Sequence, residues 1–311
     1  MLPRQRAFRA TLALLILGAC GRGEPAPGAA VDGGAPGGLP AVRDDAGRRV
    51  RLAGPARRIV SLVPSVTETI VALGAADRLV ARTDFDRAPE VAGLPSVGGG
   101  LDPSVEALVM LEPDLVVAWN ARDDAGLRAR LEASGVPVYA AAIEDTAGVF
   151  ATVERLGVLL ELEAAADSVA RALRDTLAAI AREAAGDPRP RVLFLLDGAP
   201  PRTAGPGTFV SEILSVAGGE PAYPALPGGW PTIALEAVVA NPPDVVLVPV
   251  SEGEAPALAG RPGWRRVPAV RDGRVLGVPA DLVGRPGPRL GRAARALRDS
   301  LRALGARTEA F

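Results

Sequence analysis

The chain has 311 residues, enough for two domains of ordinary size, and a net charge of −1. That balance gives no basic face, so no nucleic-acid partner is expected. Histidine and lysine are absent, all 35 basic residues being arginine, which excludes a Ser-His-Asp triad, a histidine-ligated metal, a Schiff-base lysine and a phosphate-loop lysine.

The single cysteine, Cys20, follows a basic segment (Arg4, Arg6, Arg9) and an apolar run from Ala10 to Ala19. That run is too short to span a bilayer and reads as the core of a signal peptide. Its end, Leu17-Gly18-Ala19-Cys20, resembles a bacterial lipobox, so residues 1–19 are expected to be removed and Cys20 to carry lipid, anchoring the protein to a membrane outside the cytoplasm. Residues 20–40 are rich in Gly, Pro and Ala and predict a flexible tether. No later apolar stretch approaches membrane-spanning length.

The folded part begins near residue 41. Arg58–Leu62 predicts a buried strand. Ser65-Val66-Thr67-Glu68 predicts a capping box opening a helix that Gly74 closes. A short strand follows at Leu79–Arg82, and Asp102-Pro103 predicts a helix start, with Asp102 as cap. Strand, helix and strand then follow at Leu115–Trp119, Leu127–Ser134 and Val136–Ala141. Helical spacing of apolar residues runs from Val149 to about Ala185, predicting one long helix over 149–187 that links an N-terminal lobe (41–148) to a C-terminal lobe (188–311) as a stiff spine. The second lobe reads as another αβ series: strands at Val192–Leu196, Val245–Val248 and Arg274–Val278, a Thr208-capped helix ending at Gly218-Gly219, and a last helix over 288–304. The expected fold class is α/β, two lobes with parallel sheets covered on both faces.

One segment recurs. Val105-Glu106-Ala107-Leu108-Val109 followed by Pro113-Asp114 is echoed by Leu235-Glu236-Ala237-Val238-Val239 followed by Pro243-Asp244, an offset of 130 residues throughout (236 − 106 and 244 − 114). Two pseudo-equivalent lobes imply a cleft between them, a preferred place for a small ligand.

These segments, in this order, resemble the periplasmic vitamin B12-, siderophore- and haem-binding proteins that feed ABC importers. Arg58–Glu68, Thr83-Asp84-Phe85, Val97-Gly98-Gly99, Leu111–Trp119, Gly218-Gly219-Glu220 and Trp230-Pro231 carry the likeness, over about residues 41–304. Within that group the strongest likeness is to the cobalamin-binding proteins. It implies a class III solute-binding architecture, no enzymatic activity, and a ligand site at Phe85, Trp119, Trp230, Asp281 and Arg285. Arg202 stands where that family has an aromatic. Gly100 stands where it has a Trp, leaving space for bulkier ligands. The ligand implied is a corrinoid, or another metal chelate such as a siderophore or haem, with no resident cofactor or metal.

The resemblance also implies a monomer that docks on an ABC permease dimer through Glu106 and Glu236, one acid per lobe. Both acids also fall in the first turns of helices, where their charge favours the helix dipole without any partner. Trp264, between arginines, is expected to pack on the surface of the second lobe. Asp84, Asp86 and Asp102 are more simply loop and cap residues than metal ligands. Two other functions stay open at this point: a two-lobed α/β enzyme, and a sensor that reports the ligand without transporting it.

Overall fold

The computed structural model describes residues 39–120, 125–196, 200–251, 254 and 256–308. Cys20, the signal segment and the tether up to residue 38 lie outside them. A small antiparallel pair, β1 (Val42–Arg43) and β2 (Arg49–Val50), opens the described chain. The first lobe then runs β3 (Ile59–Ser61), α1 (Pro64–Ala72), β4 (Leu79–Ala81), α2 (Val105–Met110), β5 (Leu115–Trp119), α3 (Ala125–Ala133) and β6 (Val138–Ala141). Its sheet has the order β4-β3-β5-β6 and is parallel throughout. The strands read as unbroken apolar runs because both faces are covered.

Two helices follow, α4 (Thr146–Leu160) and α5 (Glu163–Ala184), and they correct the expected single spine. Glu161 takes a left-handed conformation (φ 53°) and the Leu162 N–H donates to the Gly157 carbonyl at 2.7 Å, closing α4. This break occupies two residues, neither Gly nor Pro, so the apolar spacing runs through it unmarked. Gly157 lies so close to Ala166 that a side chain there would come within 2.6 Å of the alanine methyl, which is how α4 and α5 pack tightly against each other. Only α5, about 33 Å long at 1.5 Å per residue, has the length of a spine.

The second lobe comprises β7 (Arg191–Leu196), β8 (Arg202–Thr203), α6 (Phe209–Val216), β9 (Glu220–Pro221), α7 (Leu235–Ala240), β10 (Val245–Val250), α8 (Pro268–Arg271), β11 (Val275–Pro279), α9 (Ala280–Val283) and α10 (Leu290–Thr308). Strands β11, β10, β7 and β9 are parallel, while the short β8 runs antiparallel against the end of β7. Three cores result. One lies in the first lobe alone, around Leu62, Leu108 and Leu131, and one in the second alone, around Leu193, Val246 and Trp264. The largest is shared, running from Ile59 and Ile70 through Leu156, Leu173 and Ile180 to Phe194, Ile213 and Leu297.

Local expectations meet three further corrections. Helix α1 starts at Pro64 after Val63 with no side-chain cap, so the Ser65–Glu68 capping box does not form. Pro64 suits the first turn by itself, which frees Glu68 to reach the other lobe. The cap of α2 is Ser104, whose hydroxyl accepts from the Ala107 N–H at 3.2 Å, rather than Asp102. Trp264 is 6% exposed and belongs to the second lobe's core, not its surface.

The repeat has a structural counterpart. The Asp114 carboxylate accepts from the Arg57 and Arg58 N–H groups (2.8 and 3.1 Å), and the Arg58 guanidinium reaches the Leu111 and Glu112 carbonyls. The Asp244 carboxylate accepts from the Arg191 N–H at 2.8 Å, and Arg191 reaches the Pro242 carbonyl. Each lobe thus staples its first central strand to the turn after its docking-candidate helix.

Candidate functional site

The C-terminal ends of both sheets face one another, the edge at which open α/β sheets bind ligands. Between them lies a cavity of about 620 Å³, within the range of about 300–1,000 Å³ typical of small-molecule sites. The first lobe supplies Leu101, Trp119 and Asn120 at the end of β5, and Ala141 to Glu144 at the end of β6. The second supplies Phe194 and Leu196 of β7, Phe209 at the start of α6, Trp230, Pro249 of β10, and Ala280, Val283, Gly284 and Pro286 after β11. The walls are overwhelmingly apolar.

Trp119 and Trp230, both half-buried, stand in opposite walls. Trp230 is propped by its neighbours: its ring centroid lies 6.5 Å from that of Phe194 and 6.2 Å from that of Phe209, the latter edge-on. Such contacts hold an indole plane in place, and the ring stays partly exposed where it lines the cavity.

Other expected residues lie elsewhere. Phe85 is 53% exposed and is not part of the cavity wall; its carbonyl accepts from Arg285 Nη2 at 2.7 Å. Arg202 is exposed on β8, also outside the wall. Asp281 and Arg285 do not pair with each other. Arg285 Nη1 donates to Glu68 Oε1 at 2.9 Å, and Asp281 is met by Arg289 Nη1 at 3.3 Å. Arg289 also donates twice to Glu68, at 2.9 and 2.7 Å.

Arg289, partly buried, keeps its charge more firmly than usual: burial works against it, and the Glu68 and Asp281 carboxylates outweigh that. This cluster bridges α1 of one lobe to the 285–289 segment of the other. A second bridge flanks the cleft where Phe209 N–H donates to the Glu144 carbonyl (2.7 Å) and Thr146 N–H to Glu212 Oε2 (2.8 Å).

Gly100 overturns the idea of spare room. It is buried with φ 84°, and a Cβ there would stand 2.6 Å from the Leu62 carbonyl oxygen. The position demands glycine and could not carry a Trp without moving the backbone, and Gly100 is not part of the cavity wall. Asp84 and Asp86 serve their own loop, Asp86 accepting from Thr83 N–H and hydroxyl at 2.6 and 2.8 Å. Among the described residues no cluster of acids, histidines or cysteines could hold a metal ion.

Sequence reasoning missed Phe194, Phe209, Asn120 and Glu144. Phe194 was hidden in a run that reads as plain strand core. The other three had a usable signal, since each follows a strand or cap that ends at the cleft.

Glu106 and Glu236 are exposed in the first turns of α2 and α7. The Glu106 carboxyl is held below its ordinary range, chiefly by backbone N–H donation and then by the Ser104 hydroxyl at 3.0 Å. It therefore remains charged.

Fold and cleft together define a two-lobed receptor that encloses a solute between parallel sheets. The periplasmic binding protein family model matches residues 59–282, and the chain belongs to that family. It is thus a binding protein that works outside the cytoplasm, not an enzyme. It is 27% identical to the vitamin B12-binding protein of Vibrio parahaemolyticus, over 76% of this chain and 86% of that one. With an uncharacterized ABC transporter substrate-binding lipoprotein of Bacillus subtilis it shares 31% identity, over 81% and 82%. A solved structure of the periplasmic heme-binding protein RhuT from Roseiflexus superposes with a TM-score of 0.68 at 28% identity, over 79% of this chain and 99% of that one.

Proposed function

We propose that the chain is the lipid-anchored receptor of an ABC importer and that its cleft holds a corrinoid. The observation that carries this reading is the pair Trp119 and Trp230 on opposite walls of an apolar cavity. A flat, metal-bearing macrocycle offers two broad faces for two such walls, and indoles supply large contact area at low entropic cost. The vitamin B12-binding relative supports the same ligand class.

Donor chemistry favours a corrinoid over haem. Haem iron is normally held by His, Cys, Met or Tyr side chains. The chain has no histidine, and the described residues of its cavity wall include none of the four. Its two tyrosines are engaged elsewhere: Tyr139 is fully buried near Arg155, and the Tyr223 hydroxyl donates to the Asn241 carbonyl. A ligand whose metal brings its own axial groups suits such a cleft.

Cys20 after Leu17-Gly18-Ala19 supplies the anchor, as the lipoprotein name of the Bacillus subtilis relative supports. Glu106 and Glu236 give one exposed acid per lobe for a permease dimer. The receptor acts as a monomer.

The test is titration of the purified chain with cyanocobalamin, dicyanocobinamide, haemin and a ferric hydroxamate, followed by tryptophan fluorescence. The expected result is saturable quenching by the corrinoids at the lowest concentrations. Tighter binding of haemin or the hydroxamate than of either corrinoid would assign the cleft to that ligand instead.

A further inference from the structure

We propose that Glu144 decides which macrocycle the cleft admits: one whose rim presents hydrogen-bond donors, such as carboxamides, and not one whose rim presents carboxylates. The proposal rests on the corrinoid reading and deepens it.

Among the described residues that line the cavity, Glu144 is the one ionisable side chain and Asn120 the one amide. Both stand on the first lobe's wall, at the ends of adjacent strands β6 and β5. Their backbones are fixed. Asn120 N–H donates to the Ala141 carbonyl at 2.8 Å, and the Glu144 carbonyl accepts from Phe209 N–H at 2.7 Å. The neighbouring Asp145 caps α4 through the Gly148 N–H at 2.7 Å.

Their free atoms differ in polarity, and the only charge among them is on Glu144. Asn120 Nδ2 gives one of its two hydrogens to the Asp45 carbonyl at 3.3 Å, so its amide can still both accept through Oδ1 and donate through the second N–H. The Glu144 side chain is exposed, and its carboxylate forms no hydrogen bond or ion pair with another described residue. The charged group of this wall therefore offers acceptors alone, and a ligand must bring donors to meet it.

The arginines closest in sequence to the opposite wall do not reverse that polarity. Arg285 and Arg289 spend their guanidinium groups on Glu68, Asp281 and the Phe85 carbonyl, and Arg202 lies outside the wall. A rim carboxylate entering the cleft would face Glu144 with no described cation in the wall to offset it. Like charges brought together across an interface are a strong means of rejecting a wrong partner.

The experiment compares two ligands of one shape: dicyanocobinamide, whose rim carries amides, and dicyanocobyrinic acid, whose rim carries carboxylates. Binding to the purified full-length chain is followed by corrin absorbance. Wild type should prefer the amide form by about tenfold or more, the scale of one charge-assisted hydrogen bond exchanged for a repulsion. Glu144→Gln should shrink that preference by about tenfold, chiefly by improving the carboxylate form. Asn120→Ala removes an amide able to serve either rim, so it should leave the ratio of the two forms nearly unchanged. Equal wild-type affinities, or an unaltered ratio in Glu144→Gln, would overturn the inference while leaving the corrinoid reading intact. If neither corrinoid binds, the corrinoid reading falls, and haemin against its diamide becomes the deciding pair. Glu144→Gln should then gain on haemin relative to the diamide, and an unchanged ratio, or binding of neither, overturns the inference as well.

Discussion

Replacing Glu68 by glutamine should loosen the junction between the lobes. The Glu68 carboxylate is 9% exposed and accepts three hydrogen bonds, one from Arg285 and two from Arg289, whose side chains are 16% and 25% exposed. Breaking a fully buried pair costs about 3–5 kcal/mol, whereas an exposed pair contributes about 0.2–1 kcal/mol. This cluster lies between those limits. Both arginines keep other partners, Arg285 the Phe85 carbonyl and Arg289 the Asp281 carboxylate, which softens the loss. A cost of about 2 kcal/mol follows, or a fall in melting temperature of about 3–4 °C for a chain of this size. Differential scanning calorimetry measures it. Glu154→Gln is the internal control, because the Arg174–Glu154 pair is long at 3.4 Å and about half-exposed on both sides, and its loss should shift melting by no more than a degree or two. If Glu68→Gln melts with Glu154→Gln and wild type, the cluster does not hold the lobes together.

Trp230→Ala should weaken corrinoid binding by about thirty-fold, the scale of losing an aromatic anchor, whereas Trp264→Ala should lower stability by about 3–5 kcal/mol and leave the ligand affinity of the folded fraction unchanged; fluorescence titration and thermal melts separate the two. Reversing both Glu106 and Glu236 to Arg should abolish uptake in cells without altering ligand affinity, and normal uptake would remove them from the docking surface. Cys20→Ala should stop incorporation of labelled palmitate; equal labelling of both forms would refute the anchor. Burial pushes the Tyr139 hydroxyl up to about 12, with the Asp45 charge adding to it. A raised folded value means that this stabilisation is complete below about pH 10 and is lost as the pH climbs towards 12. Urea melts should therefore show wild type losing stability faster than Tyr139→Phe across that window, and parallel losses would contradict it.

The sequence made the sheets legible because their strands are short, unbroken apolar runs between turn residues, the pattern of strands buried on both faces. Trp119 and Trp230 could be placed at the cavity for a related reason: one ends such a run and the other sits in a Gly-Pro loop ahead of a helix, where it packs on the edge of the shared core. What sequence could not show was partnership over long separations. Glu68 looks like the third position of a capping box until Arg285 and Arg289, more than 200 residues away, are seen to claim it. Asp281 and Arg285 read as ligand contacts or as partners of each other, and their actual partners, Arg289 and Glu68, were hidden for the same reason. Glu161 hides its helix break because a two-residue turn with one left-handed residue barely disturbs the apolar spacing on either side.

The distribution of the three cores bears on how such a receptor can release its ligand. Private cores keep each sheet intact, while the shared core binds α4, α5, α6 and α10 into one apolar body behind the cleft. Polar bridges then close both flanks, at Glu68 and at the 144–146 segment. Prising the lobes far apart would expose shared core and strip Glu68 of its partners together, so a wide hinge motion is costly. The segments with least to lose are those at the rim, notably Leu101, 73% exposed, and the Phe85 turn. Entry and exit of a macrocycle are therefore better served by movements of the rim and by small changes in lobe separation. A permease that grips one acid on each lobe, at α2 and α7, would be placed to apply just such a small separation from outside the cleft.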